Sequence, residues 1–283
     1  MNAEPGHASP LTVAEPLSVA DVEDFLRRLA PLELAESWDN VGHLFGDAGR
    51  TVTRVMTCLT LSPDVADEAI ARGAGLIVVH HPILFRPVQR LTHETPAGAM
   101  LLALAKQGVA VYSAHTAYDN AADGINRQLA DRLELEGVGP LRGASLPSPH
   151  TTDARPGIGR FGRLRQPRSL GELLGDVKRQ LGVVELQFVG PPDLRVERVA
   201  IGCGAGAEFI DDAIREHCQV LLTGEARFHA CLEARERGLG LILLGHFASE
   251  QPAMRALADQ IRRRFPTLEV WASTVERDPL ATA

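Results

Sequence analysis

The sequence predicts an α/β protein with two related lobes, each built on a mainly parallel or mixed sheet with helices on both faces. Three observations support this fold class. Strand-like and helix-like segments alternate from Val52 onward, a stretch rich in Gly, Pro and Ser interrupts them, and the segments on either side repeat one order. Such alternation is typical of parallel sheets covered by helices. We therefore expect a disordered tail over residues 1–17, a first lobe over 18–136, a linker over 137–158 and a second lobe over 159–283.

Composition excludes several function classes. With 283 residues, 45% of them hydrophobic and 23% charged, the chain resembles an ordinary globular protein. Its net charge of -7 disfavours nucleic-acid binding, which needs a basic face. No apolar run reaches the roughly 18 residues of a membrane span, and residues 1–17 lack the basic and apolar regions of a signal peptide. We therefore expect a cytoplasmic protein without nucleic-acid or membrane partners.

The cysteine pattern disfavours a structural zinc site. The four cysteines are too scattered to form a C-x-x-C pair, and such a site usually needs paired thiolates. In a reducing cytoplasm they are expected to be free thiols that act as small buried residues. They are Cys58, Cys203, Cys218 and Cys231.

The first lobe begins with a clear helix signal. Ser18 and Asp21 have the spacing of a capping box, and the following apolar residues share one helical face until Pro31 ends the helix. Residues 36–46 have no periodicity and predict a loop or an irregular strand, either functional or a self-capped turn. Beyond it we predict strands over 52–61, 76–79 and 109–113, and helices over 63–71, 96–106 and from 120 to 135.

The second lobe has a similar order of segments. Residues 159–164 predict a short strand and residues 169–181 a helix. Further strands are predicted over 183–189, 196–202, 220–223, 241–244 and 268–272, and further helices over 207–216, 226–237 and 246–264. Both lobes thus contain a strand–helix–strand–helix–strand unit that leads into a helix.

Two adjacent histidines follow the most apolar strand of the first lobe. The run of residues 76–79 suits a strand buried on both faces, and His80, His81 and Pro82 come directly after it. Ligands bind outside the carboxyl ends of parallel strands, where this pair is expected to lie. Alternatively, one histidine is a buried hydrogen-bonding residue and the other a loop residue.

The repeat places a second pattern at equivalent points of the two lobes. His115 is followed four residues later by Asp119, and His246 four residues later by Glu250. In a helix, residues i and i+4 share a face, so each pair can bind one cation. A single pair is more often a salt bridge or a cap, but two pairs joined by His80 and His81 favour metal binding. Six donors exceed the ligands of one zinc ion and suit two ions roughly 3.5–4 Å apart, in the crevice between the lobes.

These motifs resemble those of the Nif-three-like family, whose members are often called GTP cyclohydrolase I type 2 homologues. The resemblance implies two α/β lobes in a ring-shaped homohexamer, and the short segment 137–160 indicates that the inserted domain of some relatives is absent. It also implies a dinuclear site of His80, His81, Asp119, His246 and Glu250, with Glu250 bridging and His115 either a ligand or behind the ligands. The matching segments are Trp38-Asp-Asn-Val-Gly, His80-His-Pro, Ala114-His-Thr-x-x-Asp-Asn, Gly157-Ile-Gly-Arg-Phe-Gly, Gly224-Glu-x-x-x-His and Gly245-His-x-x-Ser-Glu250.

Two bridged ions would supply a water nucleophile at neutral pH, which predicts a metal-dependent hydrolase. The resemblance points to a purine ring or a phosphoester of a nucleotide-like small molecule. Imidazole and carboxylate ligands are compatible with Zn, Mn, Fe, Co or Ni. We expect Glu225, which aligns with His81, and His229 to line the substrate pocket, with His229 as a proton shuttle. Helix capping and an exposed face are their alternative roles.

Further residues have two interpretations each. Trp38 and Asp39 contact substrate or close the interface between lobes, and Arg160 and Arg163 bind phosphates or are exposed strand arginines. Residues 202–208 resemble a dinucleotide-binding loop, but Ala207 replaces its third glycine, and a nucleotide phosphate near the loop is the better reading. A non-enzymatic metal-binding adaptor or metal-delivery protein also stays open.

Overall fold

A computed structural model describes residues 16–144 and 155–281. Elements of the first half are α1 (Val19–Leu29), β1 (Gly42–Phe45), β2 (Arg54–Cys58), α2 (Pro63–Ala71), β3 (Leu76–Val79), α3 (Pro96–Gln107), β4 (Ala110–Ser113), α4 (His115–Asn120) and α5 (Ile125–Arg132). Those of the second half are β5 (Glu136–Gly139), β6 (Arg142–Gly143), β7 (Gly157–Ile158), β8 (Arg160–Ser169), α6 (Leu170–Leu181), β9 (Gln187–Val189), β10 (Arg195–Gly202), α7 (Ile210–Arg215), β11 (Val220–Thr223), α8 (Phe228–Glu236), β12 (Gly240–Leu243), α9 (His246–Arg264) and β13 (Glu269–Ala272). Short 3-10 helices cover Leu32–Leu34 and Gly206–Phe209.

The strands form two mixed sheets that repeat one central unit. The first has the order β1-β4-β3-β2-β13, and the second has the order β5-β8-β10-β11-β12-β9. Strands β2, β3 and β4 are parallel, as are β10, β11 and β12. An antiparallel edge strand lies beside the third member of each unit, β1 beside β4 and β9 beside β12. The repeat predicted from sequence is thus present in the strand order.

Helices cover both faces of both sheets, as predicted. The largest buried cluster joins one face of each sheet, represented by Val78 and Leu222, with side chains of α1, α5, α6 and α9. The opposite face of the first sheet packs on α2 and α3, and that of the second sheet packs on α7 and α8. The two sheets therefore share one apolar core, and the α/β fold of two related lobes is confirmed.

Two strands lie in sheets that the predicted domain limits did not anticipate. The last strand, β13, was assigned to the second lobe, but it pairs in parallel with β2 of the first sheet. Strand β5, at the predicted linker boundary, pairs with β8 of the second sheet. Helix α9 explains why β13 lies in the first sheet, because the helix starts at the second sheet and packs against β2 and β13. Sequence alternation gives the type of each element but not the sheet it joins.

The predicted linker and tail are partly ordered. Residues 142–143 and 157–158 form the two-stranded pair β6–β7, and Leu141 between the linker strands is buried. Glycines interrupt the apolar pattern of these two short strands, so the sequence did not predict them. The rest of the linker and tail, residues 145–154 and 1–15, lies outside the described residues. At the end of the predicted tail, the carbonyl of Leu17 accepts a hydrogen bond from the amide of Val52.

Most other elements match their predictions, with two local differences. The helical pattern from 120 to 135 is broken between α4 and α5, where a Cβ on Gly124 would lie 1.8 Å from the Tyr118 carbonyl oxygen. Residues 42–45, predicted as a loop or irregular strand, form the edge strand β1. Ser18 and Asp21 make the predicted capping box of α1.

The cysteines are free thiols, as expected from their spacing. Cys58 and Cys218 are buried, Cys203 and Cys231 are half-buried, and all four are free thiols. None of the helices in the described part of the chain has both the length and the apolar surface needed to cross a membrane.

His43 has a structural partner, which gives a pH-dependent prediction. Its Nδ1 lies 2.5 Å from Oε1 of the buried Glu23 of α1. Burial by itself lowers the pKa of His43, but the contacts with Glu23 and with the Gly46 carbonyl together outweigh burial, so the pKa is raised. The charged imidazole therefore stabilises the fold below its unfolded pKa of about 6.5, and this contribution is lost as pH rises through the higher folded pKa.

We expect His43→Ala to lower the free energy of unfolding by about 1–3 kcal/mol at pH 6, and by less at pH 9, because only the charged ring makes the strong contact. Urea unfolding of both proteins at several pH values measures this difference. A difference that stays constant, or grows with pH, would show that the charge of His43 has no stabilising role.

Candidate metal centre

Four imidazoles meet between the two sheets. The backbone amides of His80 and His81 donate to the carbonyls of Cys58 and Leu59, which continue the β2–β3 pairing beyond the strand end. His115 opens α4 and His246 opens α9, so each follows the third strand of its unit. Ring centroids are separated by 5.1 Å for His80–His115 and by 5.2 Å for His81–His246. The strand ends of both lobes thus bring together the four histidines predicted from sequence.

Glu250 lies at the centre of this cluster. Its Oε2 is 3.0 Å from His81 Nε2, 3.1 Å from His246 Nε2 and 3.9 Å from His80 Nε2. Asp119, on α4, has its Oδ1 3.6 Å from His80 Nε2. The two carboxylates sit one helical turn after His246 and His115, as the i, i+4 spacing predicts.

Outer side chains fix the orientation of three imidazoles through their Nδ1 atoms. Asp39 Oδ1 is 2.8 Å from His115 Nδ1, Thr60 Oγ1 is 2.8 Å from His81 Nδ1, and Glu225 Oε1 is 3.2 Å from His246 Nδ1. A partner at Nδ1 leaves Nε2 free to face the centre, as is common around metal-binding histidines. Asp39 also accepts hydrogen bonds from the amide and hydroxyl of Thr116, which fixes the carboxylate itself.

Several polar atoms of the cluster are buried without a partner. Among the described residues, these include both ring nitrogens of His80, Oδ1 of Asp119 and Nε2 of His246. The His246 Nε2 atom is close to Glu250 but is not aligned for a hydrogen bond. Leaving a buried polar group unpaired costs about 1–3 kcal/mol, so four such atoms in one place indicate a site shaped for a ligand.

The electrostatics of the cluster favour a cation. Burial holds the pKa of His80 well below its usual value, so its ring is neutral and has a free lone pair. Burial and the nearby Glu250 raise the pKa of Asp119 to about 7. Glu250 behaves oppositely, because the contacts with His246 and His81 outweigh burial and lower its pKa. The Glu250 contact in turn raises the pKa of His246 to about 9. A bound cation would stabilise both carboxylates in their charged forms.

The donor set fits one or more divalent ions. Two groups have ligand atoms within 4.8 Å of one another, His80 with His81 and His115, and His81 with His246 and Glu250. The groups share His81 and draw on both lobes. Imidazole nitrogens with carboxylate oxygens are typical ligands of zinc and of other first-row transition metals.

The glycine-rich loop between β10 and the 3-10 helix lines this site but does not suit a dinucleotide. Side chains of Asn126, Ser249 and Thr223 accept hydrogen bonds from the amides of Cys203, Gly204 and Gly206. A phosphate cradle needs such amides to be free. The loop instead packs against the ligands, because a Cβ on Gly204 would lie 2.3 Å from Glu250 Oε1.

A cavity of about 270 Å3 adjoins the cluster. Its lining includes Trp38, the glycine-rich loop and five of the cluster residues, His81, His115, Asp119, His246 and Glu250. A cavity of this volume has room for several waters or a small organic molecule. The site is therefore open to a substrate beside the ligand atoms.

Several residues singled out in the sequence lie elsewhere. His229 is exposed on the first turn of α8 and does not line the cavity, and Glu225 contacts His246 rather than an open pocket. Arg163 is an exposed strand arginine. Both interpretations of Arg160 were wrong: it is 1% exposed and donates hydrogen bonds to backbone carbonyls of Gly157, Gly159, Asn120 and Ala121. A guanidinium so satisfied is not available to a phosphate.

Sequence reasoning missed three contributors to the site. Thr60 orients His81, Asn126 holds the amide of Cys203, and Gly204 makes room for Glu250. Thr60 follows β2 at the same sheet edge as the histidines, so its position at a strand end was the available signal. Nothing in the local sequence of Asn126 indicates its role.

Comparison with known proteins identifies the family of the chain. The chain matches the family described as Duf34/NIF3 (NGG1p interacting factor 3) over residues 17–279. The chain belongs to this family. A Clostridium perfringens relative called GTP cyclohydrolase 1 type 2 homolog is 31% identical over 265 residues, covering 93% of this chain and 98% of the relative. The resemblance inferred from the motifs is thereby confirmed.

A eukaryotic relative and a solved structure extend the comparison. The Protein NIF3 homolog of Schizosaccharomyces pombe is 32% identical over 265 residues, covering 88% of this chain and 92% of the relative. The crystal structure of a Bacillus cereus protein related to NIF3 matches 95% of this chain and all of its own, with a TM-score of 0.86 and 21% identity. That structure supports the fold of this Duf34/NIF3 member and nothing finer.

Proposed function

We propose that this Duf34/NIF3 protein is a divalent-metal-dependent hydrolase with a two-ion site. The observation that carries the proposal is the cluster of buried, unpartnered nitrogen and oxygen atoms around Glu250, drawn from both lobes. The four imidazoles and two carboxylates exceed the three or four protein ligands that one zinc ion usually has, which supports two adjacent ions rather than one. The proposed ligands are His80, His81, Asp119, His246 and Glu250, with His115 completing the first group.

The outer residues support a preorganised site. Asp39, Thr60 and Glu225 hold three imidazoles in the orientation that binding needs, so little side-chain freedom is lost when ions bind. We assign Glu225 a positioning role through His246. His229 has no such contact among the described residues, and no step of the mechanism depends on it.

The ions, when bound, would supply Lewis acidity and a nucleophile at neutral pH. The protein supplies a cavity that admits a small molecule beside the ligand atoms. The relative named GTP cyclohydrolase 1 type 2 homolog supports a nucleotide-like substrate. Zinc, manganese, iron, cobalt and nickel all suit the mixed donor set.

A metal-delivery or adaptor role is the second candidate. It is favoured by the partial exposure of His81 and His246, which lets solvent and a partner reach two of the proposed ligands. Slow metal exchange with turnover supports the hydrolase, and fast exchange without turnover supports delivery. The ring-shaped homohexamer implied by the family resemblance stays a prediction.

Metal content per chain is the decisive measurement for this proposal. After gel filtration without chelator, plasma mass spectrometry is expected to give close to two divalent ions per chain. His246→Ala is expected to retain one ion or none, because it removes a ligand from the group centred on Glu250. A screen of nucleotides and phosphoesters then tests turnover.

His93→Ala is the matched control, since His93 is an exposed histidine between β3 and α3. It should leave the metal content unchanged. If the native protein holds no ions even after loading with zinc or manganese, the two-ion site and the hydrolase are both excluded.

A further inference from the structure

Two large aromatic side chains are exposed next to each other, and one of them, Trp38, lines the metal cavity. Trp38 is 58% exposed and Phe85 is 46% exposed, and their ring centroids are 5.9 Å apart in an edge-to-face arrangement. Burying a side chain of this size stabilises a fold by roughly 1.5–3 kcal/mol. Because Trp38 and Phe85 are both exposed, the fold gains little of this stabilisation from either ring. Exposed apolar groups so clustered often mark a binding site.

The backbone that carries both rings is firmly anchored. Next to Trp38, Asp39 accepts hydrogen bonds from Thr116, and the amide of Glu36 donates to the Thr116 hydroxyl. The side-chain amide of Asn40 donates to the carbonyl of Leu84, which fixes the segment that bears Phe85. These hydrogen bonds fix the backbone next to both rings. A surface fixed in this way loses little conformational freedom when a ligand binds.

Trp38 is the member of the pair that lies beside the proposed ligands. The ring centroid of Trp38 lies 6.1 Å from that of His115, and Trp38 lines the cavity that contains Asp119 and Glu250. A flat ring stacked on Trp38 would thus have its edge at the metal centre. Carboxylates line the same cavity, whereas the described part of its wall includes no lysine or arginine to hold an anionic tail.

We propose that Trp38 and Phe85 form a stacking surface that holds the flat heteroaromatic ring of the substrate against the metal centre. The ring, rather than a phosphate tail, then provides most of the protein's contacts with the ligand. The inference names a substrate class for the site and rests on the proposed hydrolase for its chemical consequence. Binding of the ring itself can be measured without turnover.

Guanosine, GTP and tripolyphosphate are suitable probes, because they separate the ring from the phosphates. With the metal-loaded protein, we expect guanosine to quench tryptophan fluorescence. Trp271, the other tryptophan, is buried with the Arg72 guanidinium 3.8 Å from its ring centroid, so quenching reports on Trp38. By calorimetry, Trp38→Leu should weaken guanosine binding about 10-fold or more, the range found for base stacking on aromatic side chains.

Trp38→Phe is the conservative control and should retain most of the affinity, since it keeps a ring. Metal content and gel-filtration volume should not change in either variant, because Trp38 supplies no ligand atom and Asp39, not Trp38, hydrogen-bonds to His115. Unchanged guanosine binding in Trp38→Leu would overturn the inference, as would GTP binding that tripolyphosphate matches. A change of oligomeric state in Trp38→Leu, with unaltered binding, would instead assign the aromatic pair to a subunit interface.

The two proposals can fail separately. Guanosine binding that depends on Trp38, without turnover of any probe, would exclude the hydrolase and keep the stacking surface. Two ions per chain with turnover that is insensitive to Trp38→Leu would exclude the stacking surface and keep the hydrolase.

Discussion

Replacing Arg160 with methionine is expected to lower the free energy of unfolding by about 2–4 kcal/mol. The guanidinium donates to the carbonyls of Gly157 and Gly159 on one side and of Asn120 and Ala121 on the other. Methionine fills a similar volume but offers no donor, so the carbonyls of Gly157, Gly159 and Asn120 lose this donor, whereas that of Ala121 keeps the Gly124 amide. Urea or thermal unfolding measures the difference.

The substitution has two opposing effects on the free energy of unfolding: it removes a buried charge, and it removes the donor to buried carbonyls. The loss at the carbonyls is the larger effect. Burial lowers the pKa of Arg160 to about 10, so the guanidinium stays charged at pH 7. The desolvation of this charge disfavours the native fold. Removing the charge recovers that free energy. The carbonyls of Gly157, Gly159 and Asn120 each lose a donor at a cost of about 1–3 kcal/mol, and together these costs exceed the free energy recovered.

Arg163→Met on the same strand is the matched control, because Arg163 is exposed. It should change stability by no more than about 0.5 kcal/mol. Equal effects of the two substitutions would show that the buried hydrogen bonds of Arg160 do not stabilise the fold. Because these bonds join the end of α4 to β7 and β8, weaker metal retention is a second expected consequence of Arg160→Met.

Periodicity was sufficient to predict most elements and the repeat. Helix α9 was predicted with the bounds that the structure shows, because its apolar spacing is regular and Gly245 and Pro266 mark its ends. The place of β13 could not be predicted, since parallel pairing with β2 depends on contacts made across the whole chain. Strand β5 could not be predicted from its glycine-rich sequence, because Val138 is the single apolar side chain among its four residues.

The proposed ligands were accessible to sequence reasoning because they repeat. The structure brings His80, His81, His115 and His246 together with both carboxylates, and the repeat had placed each at a strand end. Their orientation was not accessible. The contact of Thr60 with His81 joins two separate loops, and the packing of Gly204 on Glu250 is a matter of distance rather than residue type.

Arg160 shows most clearly what could not be predicted from the sequence. An arginine in a strand normally points to solvent, so composition could not indicate that its strand turns it into the protein. The signal, if any, was the pair of glycines around it, since Gly157 and Gly159 both have positive φ and so expose their carbonyls to the guanidinium. Tertiary contacts, not local preference, determine the role of this residue.

Replacing Gly204 with alanine is expected to weaken metal binding at least 10-fold while leaving the protein folded. Gly204 has a φ of +59°, and its added Cβ would lie 2.3 Å from Glu250 Oε1 and 3.4 Å from His246 Cε1. Glu250 is buried and cannot move outward, so its carboxylate must turn away from His81 and His246. Metal content after dialysis, at fixed free zinc, measures the loss.

Gly182→Ala separates this clash from backbone strain. Gly182 ends α6 with a φ of +73°, and its added Cβ would meet no atom within 4 Å. Both substitutions place alanine in the left-handed region, which costs about 1–2 kcal/mol. The stability losses should therefore be similar, whereas only Gly204→Ala should lose metal. If both variants retain two ions per chain, the contact between Gly204 and Glu250 does not shape the site, and Glu250 binds metal from more than one orientation.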